Sequence, residues 1–182
     1  MNHNPVFPVF PVFLVFPARP SSPHLFMTAQ APLLSPEHIA MIDKGVSAIV
    51  ASRNAANRPS LMRADGTEIT VYLSRSQSRQ LLQDVAATGH VAVVFSEPLS
   101  HRTVQVKAKA AQLRAADDSD LPLLRRYLAS MEREVACVGF DAVFVRAMLA
   151  CRLEDTVAIR FAPSQAFDQT PGPRAGSALP AS

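Results

Sequence analysis

The chain contains no tryptophan and only two tyrosines, Tyr72 and Tyr127. Surfaces that hold single-stranded nucleic acid stack bases on aromatic rings, so this scarcity counts against such a partner. A charge excess of one sign is missing too: 18 basic against 15 acidic residues leave +3, too little to predict nucleic-acid binding, though it permits a phosphorylated ligand. Cysteine is nearly absent. Cys137 and Cys151 stand alone, with no CxxC and no framework of spacings, which fits two packed thiols in a reducing cytoplasm better than a secreted, disulfide-stapled fold. The five histidines show no HxxxH or Cys/His spacing, so no metal is expected. GxGxxG, the P-loop and GxSxG are all missing, which removes the common dinucleotide, nucleoside triphosphate and serine-hydrolase signatures. No apolar run is long enough for a helical membrane span: the longest candidate, residues 5–17, has 13 residues against the roughly 20 required.

That run belongs to a segment unlike the rest. Pro-Val-Phe occurs three times, at residues 5–7, 8–10 and 11–13, and leads into LVFP; half of the ten phenylalanines lie before Met27. Proline at every third position removes donors and blocks an α-helix, leaving extended or polyproline-like conformations. Residues 1–34 are therefore expected to be a disordered Pro/Phe-rich extension, and Met27 is the favoured biological start. Residues 35–170 are expected to form one domain, because 182 residues with 48% apolar content make one good core rather than two. Residues 171–182, rich in Pro, Gly and Ser, read as a flexible tail.

Within the domain, Ser35-Pro36-Glu37 supplies a cap, a proline in the first turn and an acid, and Gly45 a stop, so a helix over 36–44 is expected. VSAIVAS and the pair of runs around Asp65-Gly66 read as strands, the latter a hairpin. SQSRQLLQDVAATG reads as a helix closed by Gly89. HVAVVFS suits a central strand. HRTVQVKAKAAQLR, residues 101–114, reads as one long strand with Val104, Val106, Ala108 and Ala110 on a dry face and Thr103, Gln105, Lys107 and Lys109 opposite. Two helical stretches follow the acids Asp117, Asp118 and Asp120, and TVAIRFAP closes the count at about six strands. Strands and helices do not alternate, so the expected fold is mainly β with α: an antiparallel split β-barrel of about six strands with helices packed outside.

Four stretches could carry chemistry. SRSQSRQ, residues 74–80, joins a strand to a helix, where unpaired N–H groups, the hydroxyls of Ser76 and Ser78 and the guanidinium groups of Arg75 and Arg79 would suit a phosphate. Capping serines and solvated arginines are the ordinary alternative. The polar face with Arg102, Gln105 and Lys107 offers an amide for the donor and acceptor edge of a flavin-type ring and a cation for a reduced one; a water-facing strand looks the same. Arg63 on the first hairpin strand gains meaning only if its neighbours bring it to the same cleft. FDQTPGPRAG, with Asp168, Gln169 and Arg174, is either a tail or a restricted lid over a pocket at a subunit boundary.

The succession GVSAIVASRNAANRPSLMRADG, VYLSRSQSRQLL, GHVAVVFSEP, HRTVQVKAKA and FDQTPGPRAG resembles the FMN-binding split-barrel family that includes pyridoxamine 5′-phosphate oxidase, over about residues 35–176. The resemblance implies an FMN site shared across a homodimer interface, with Arg63, Ser78 and Arg79 at the phosphate and ribityl end and Gln105 and Lys107 at the ring. It implies an oxidoreductase acting on a small molecule in the cytoplasm, with no membrane or nucleic-acid partner and no catalytic residue that can be named. Gln80 stands where that family often has a phosphate-binding lysine, Ala108 replaces a usual glycine, and the segment that holds pyridoxamine phosphate is not recognisable. These departures leave open a non-catalytic split barrel holding haem, a deazaflavin or another cofactor.

Overall fold

The computed structural model describes residues 33–52, 56–57, 61–65, 68–150 and 152–179, with side chains at 56–57 and 61–65 left aside. The expected N-terminal extension, the RNAANR turn, Gly66 of the hairpin and Cys151 fall wholly or mainly outside these residues.

The first helix, α1 (Pro36–Lys44), begins and ends where its capping signals put it. Ser35 is extended and its hydroxyl accepts from the His38 N–H at 3.3 Å, while Gly45 ends the helix at φ +90°. Two antiparallel sheets follow. β1 (Ser47–Ala51), β2 (Ala56–Asn57), β5 (Val91–Ser96), β6 (Thr103–Ala108) and β9 (Gln165–Asp168) form one sheet in the order β2-β1-β5-β6-β9. β3 (Leu61–Asp65), β4 (Glu68–Ser74), β7 (Gln112–Ala115) and β8 (Thr156–Phe161) form the other, ordered β3-β4-β8-β7. The expected mainly β architecture with external helices is what the chain adopts, as two facing sheets that no strand ladder among the described residues closes into a cylinder.

The core lies between the sheets. Val50, Val93 and Val106 from the first meet Val71, Leu73 and Ile159 from the second, all with no exposed surface. The four-stranded sheet is covered on its other side as well: Tyr72 and Ala158, paired in register, point away from those valines and are still buried. Tyr72 there meets the turn Asp118–Asp120, which leads into α3 (Leu121–Ala136). α4 (Ala142–Met148) packs against α3, and α2 (Arg79–Thr88) links β4 to β5.

Two expectations change. The alternating stretch 101–114 is not one strand. It bends between Ala108 and Gln112, so β6 belongs to the first sheet and β7 to the second, and Ala110, expected on the dry face, is exposed. Gly89, which caps α2, accepts the Ala111 N–H at 2.9 Å and holds the corner. Second, part of the segment read as loop and tail is a strand. β9 pairs with β6, Gln105 opposite Phe167. Residues 176–179 then double back on β9, with the Asp168 N–H on Ser177 and the Leu179 N–H on Ala166 at 2.9 Å each. This covers an edge that would otherwise offer unpaired backbone groups.

Candidate cofactor site

The outer face of the five-stranded sheet carries a register row that crosses four strands: Ile49, Val94, Gln105 and Phe167. Three of the four are apolar, yet Ile49 is 43% exposed and no residue of the row belongs to the core. In the middle sits Gln105, only 5% exposed. An amide so enclosed needs partners for its donors and its acceptor. Its Oε1 accepts from Gln169 Nε2 at 3.5 Å, a long and weak bond. The next row brings Ala51, Ala92, Lys107 and Gln165 together. Lys107 leans its Nζ over the Phe167 ring, 4.8 Å from the centroid, a cation–π contact that keeps the ammonium on this face. Strand alternation puts Gln105 and Lys107 on one face, as expected, but did not show that Gln105 is buried there.

The loop that bears Gln169 is organised by Asp168. Its carboxylate accepts the Thr170 N–H at 2.9 Å and faces the Arg174 guanidinium at 3.9 Å, and the Thr170 bonds hold its pKa below the usual carboxylate value. Thr103 ties the loop to β6, accepting the Gln169 N–H on its carbonyl at 2.8 Å and donating its own N–H to Thr170 Oγ1 at 3.1 Å. Asp-x-Thr is an Asx-turn pattern, the one signal that could have foretold this order.

The second group of candidates heads α2. Ser78 occupies the cap position, is 2% exposed, and makes no side-chain cap bond to the helix. Arg79 is the first helical residue and is exposed. The N–H groups of a first helical turn have no intrahelical acceptor, and the helix dipole favours an anion there. Ser76, expected to serve the same anion, is engaged elsewhere: Asp155 accepts from the Ser74 and Ser76 hydroxyls at 2.6 and 2.7 Å and from the Ser76 N–H at 2.9 Å. These bonds, the Ser74 one foremost, keep Asp155 more acidic than an ordinary carboxyl. Sequence reading missed Asp155, which lies 79 residues from Ser76. Asp155→Ala is expected to speed amide exchange at Ser76 while leaving Arg75, whose N–H is held by the backbone carbonyl of 155, largely unchanged; mass-spectrometric or NMR exchange reads this. Gln80 also turns away, its Nε2 donating to Asp84 at 2.9 Å along the same helix. Arg63 lies in β3 with its Cα opposite Thr70, and its side chain is outside the described residues.

The arrangement therefore has two parts: an amide and an ammonium on an apolar sheet face, and a serine and an arginine at a helix start that follows β4 of the other sheet. The first part presents a donor, an acceptor and a cation, the second the N–H groups of a first helical turn and a guanidinium. Among the described residues, no group of three or more His, Cys, Asp or Glu side chains could hold a metal ion, and no helix is long and apolar enough to cross a membrane.

Neither a family model nor a curated protein matches the chain. Among solved structures, it is similar to a putative pyridoxamine 5′-phosphate oxidase of Lactobacillus delbrueckii, with 13% identity over 78% of this chain and 96% of that one and a TM-score of 0.46. Group A Streptococcus HupZ matches 79% of this chain and 99% of its own at 13% identity and a TM-score of 0.47. General stress protein 26 of Bacillus anthracis matches 72% and 90% at 17% identity and 0.44. None of these likenesses bears on what the site does.

Proposed function

We propose that the chain is an FMN-binding split barrel that supports a redox reaction on a small molecule, with its cofactor shared between two copies. The observation that carries this reading is the row Ile49, Val94, Gln105, Phe167: an open apolar stripe with one enclosed amide and a lysine beside it. An outward stripe of this kind favours burial against a second surface. Gln105 offers both donor and acceptor to the ring edge, and Lys107 supplies positive charge next to it. Ser78 and Arg79, with Arg63, would hold the phosphate at the start of α2. FMN would supply the hydride or electron transfer, so the protein groups bind and orient rather than exchange protons.

The test is the absorbance spectrum of the purified protein, followed by FMN titration. Yellow protein, or protein that takes up added FMN, is the expected result. Arg79→Ala should weaken binding about tenfold or more, the equivalent of one charge-assisted hydrogen bond. Gln105→Leu should shift the flavin spectrum as well as the affinity. Colourless protein that ignores FMN would sink the reading. The engagement of Gln80 by Asp84 removes one contact from the phosphate end and favours, as a second reading, a split barrel holding haem or a deazaflavin without turnover; a Soret band would reveal the first.

A further inference from the structure

α4 and the turn before it form an apolar surface that the fold does not bury. Of the seven residues in α4 only Val145 is buried, while Val143 is 69%, Phe144 52% and Met148 47% exposed. Phe140 stacks on Phe144, ring centroids 5.3 Å apart, and Met148 lies one turn further along the same edge. Val138 extends the patch toward α3. Arg146, the one charge within α4, is matched with Glu132 at 2.6 Å. Among the described residues, a helix as apolar as AVFVRAM with one buried residue lacks the partner its composition calls for.

We infer that this surface is the docking site for residues 5–16 of the same chain. PVFPVFPVFLVF contains four phenylalanines and no charge, and its phenylalanines fall at 7, 10, 13 and 16. Polyproline II has three residues per turn, so that spacing stacks all four rings along one edge. A polyproline segment keeps its backbone groups on water while it lays one edge of side chains on an aromatic surface, so the side of a helix, which offers no backbone partner, can receive it. Reach is sufficient. Lys44, at the end of α1, bonds Glu134 at 2.6 Å, four residues before the patch begins at Val138, and α1 is about 13 Å long. Residues 17–33 can span up to about 56 Å, which more than covers the distance back from the first turn of α1.

Cys137, exposed at the edge of the patch, supplies the test. In a Cys151→Ser background, cysteine is introduced at Val6, Val9 or Val12 in separate full-length variants, and disulfide formation under added oxidant is followed. At least one position should give an intrachain link in high yield, and Phe140→Ser with Phe144→Ser, both at exposed sites, should lower that yield about tenfold. Amide exchange within α4 should be about tenfold faster in a chain that starts at Met27 than in the full chain. A link that forms between two chains, yields no higher than those of a cysteine placed at Ser100, or α4 exchange unaffected by removing residues 1–26 would each overturn the inference. None of these readouts depends on FMN.

Discussion

Replacing Asp120 with alanine is expected to destabilise the protein by about 3 kcal/mol, a large share of the 5–15 kcal/mol typical of a single domain. Asp120 is 5% exposed and is the hub of a network that ties the sheet to α3. Its carboxylate accepts from the Tyr72 hydroxyl at 2.7 Å, from both Arg114 terminal nitrogens at 2.7 and 2.6 Å, and from the Asp117 N–H at 3.0 Å. Arg114 is 45% exposed at its side chain and can return to water, so most of the cost falls on the buried side of the network, where the Tyr72 hydroxyl and the Asp117 N–H both lose this acceptor. Asp120→Asn should cost less, because it keeps an acceptor for Tyr72. The pH dependence has a defined direction. Arg114 foremost holds the Asp120 pKa down to about 2, below its value in an unfolded chain. The contribution is therefore complete above pH 5 and is lost as pH falls through 4 toward 2. Urea midpoints of wild type and Asp120→Asn measured across that window should converge at the acid end; curves that stay parallel would show that the charge of Asp120 is not what stabilises the network.

Gly89→Val is expected to be comparably damaging, by about 3 kcal/mol or more, for a different reason. Gly89 has φ +66°, a left-handed conformation that costs an L-residue roughly 1–2 kcal/mol and a β-branched one more. A Cβ there would also lie 2.7 Å from the Lys109 carbonyl oxygen, and that atom is backbone at the corner where β6 hands over to β7. Gly89→Asn separates the two causes, since asparagine tolerates the left-handed region but still carries the Cβ. Thermal and urea midpoints should place it between wild type and Gly89→Val. An asparagine variant as stable as wild type would mean that the corner yields.

The candidate site shows unevenly what could be read from residues. Gln105 and Lys107 were legible because strand alternation is local: side chains two apart share a face whatever the fold. Ser78 and Arg79 were legible as a helix start, because capping depends on adjacent residues. Asp155 was not, since nothing near Ser74 or Ser76 in the chain announces a carboxylate that arrives from the other end of the domain. The same holds for Asp120, which the sequence presents as one of three acids favoured at a helix start and the structure makes a buried hub. β9 was hidden for another reason. Its four residues lie in a Pro- and Gly-rich neighbourhood, and a strand that short exists only because β6 offers an edge.

What the chain determined by itself was therefore the local material: α1 between its proline and its glycine, the pairing of β3 with β4, α2 and its stop, the alternation of β6, and a mainly antiparallel class from the order of strands and helices. The tertiary structure alone decided where the alternating stretch breaks, which serines an internal aspartate claims, and that the amide of Gln105 is buried within an otherwise apolar row. Caps, turns and periodicity act within one or two turns of chain, whereas burial and pairing depend on segments that meet only after the two sheets have closed on a common core.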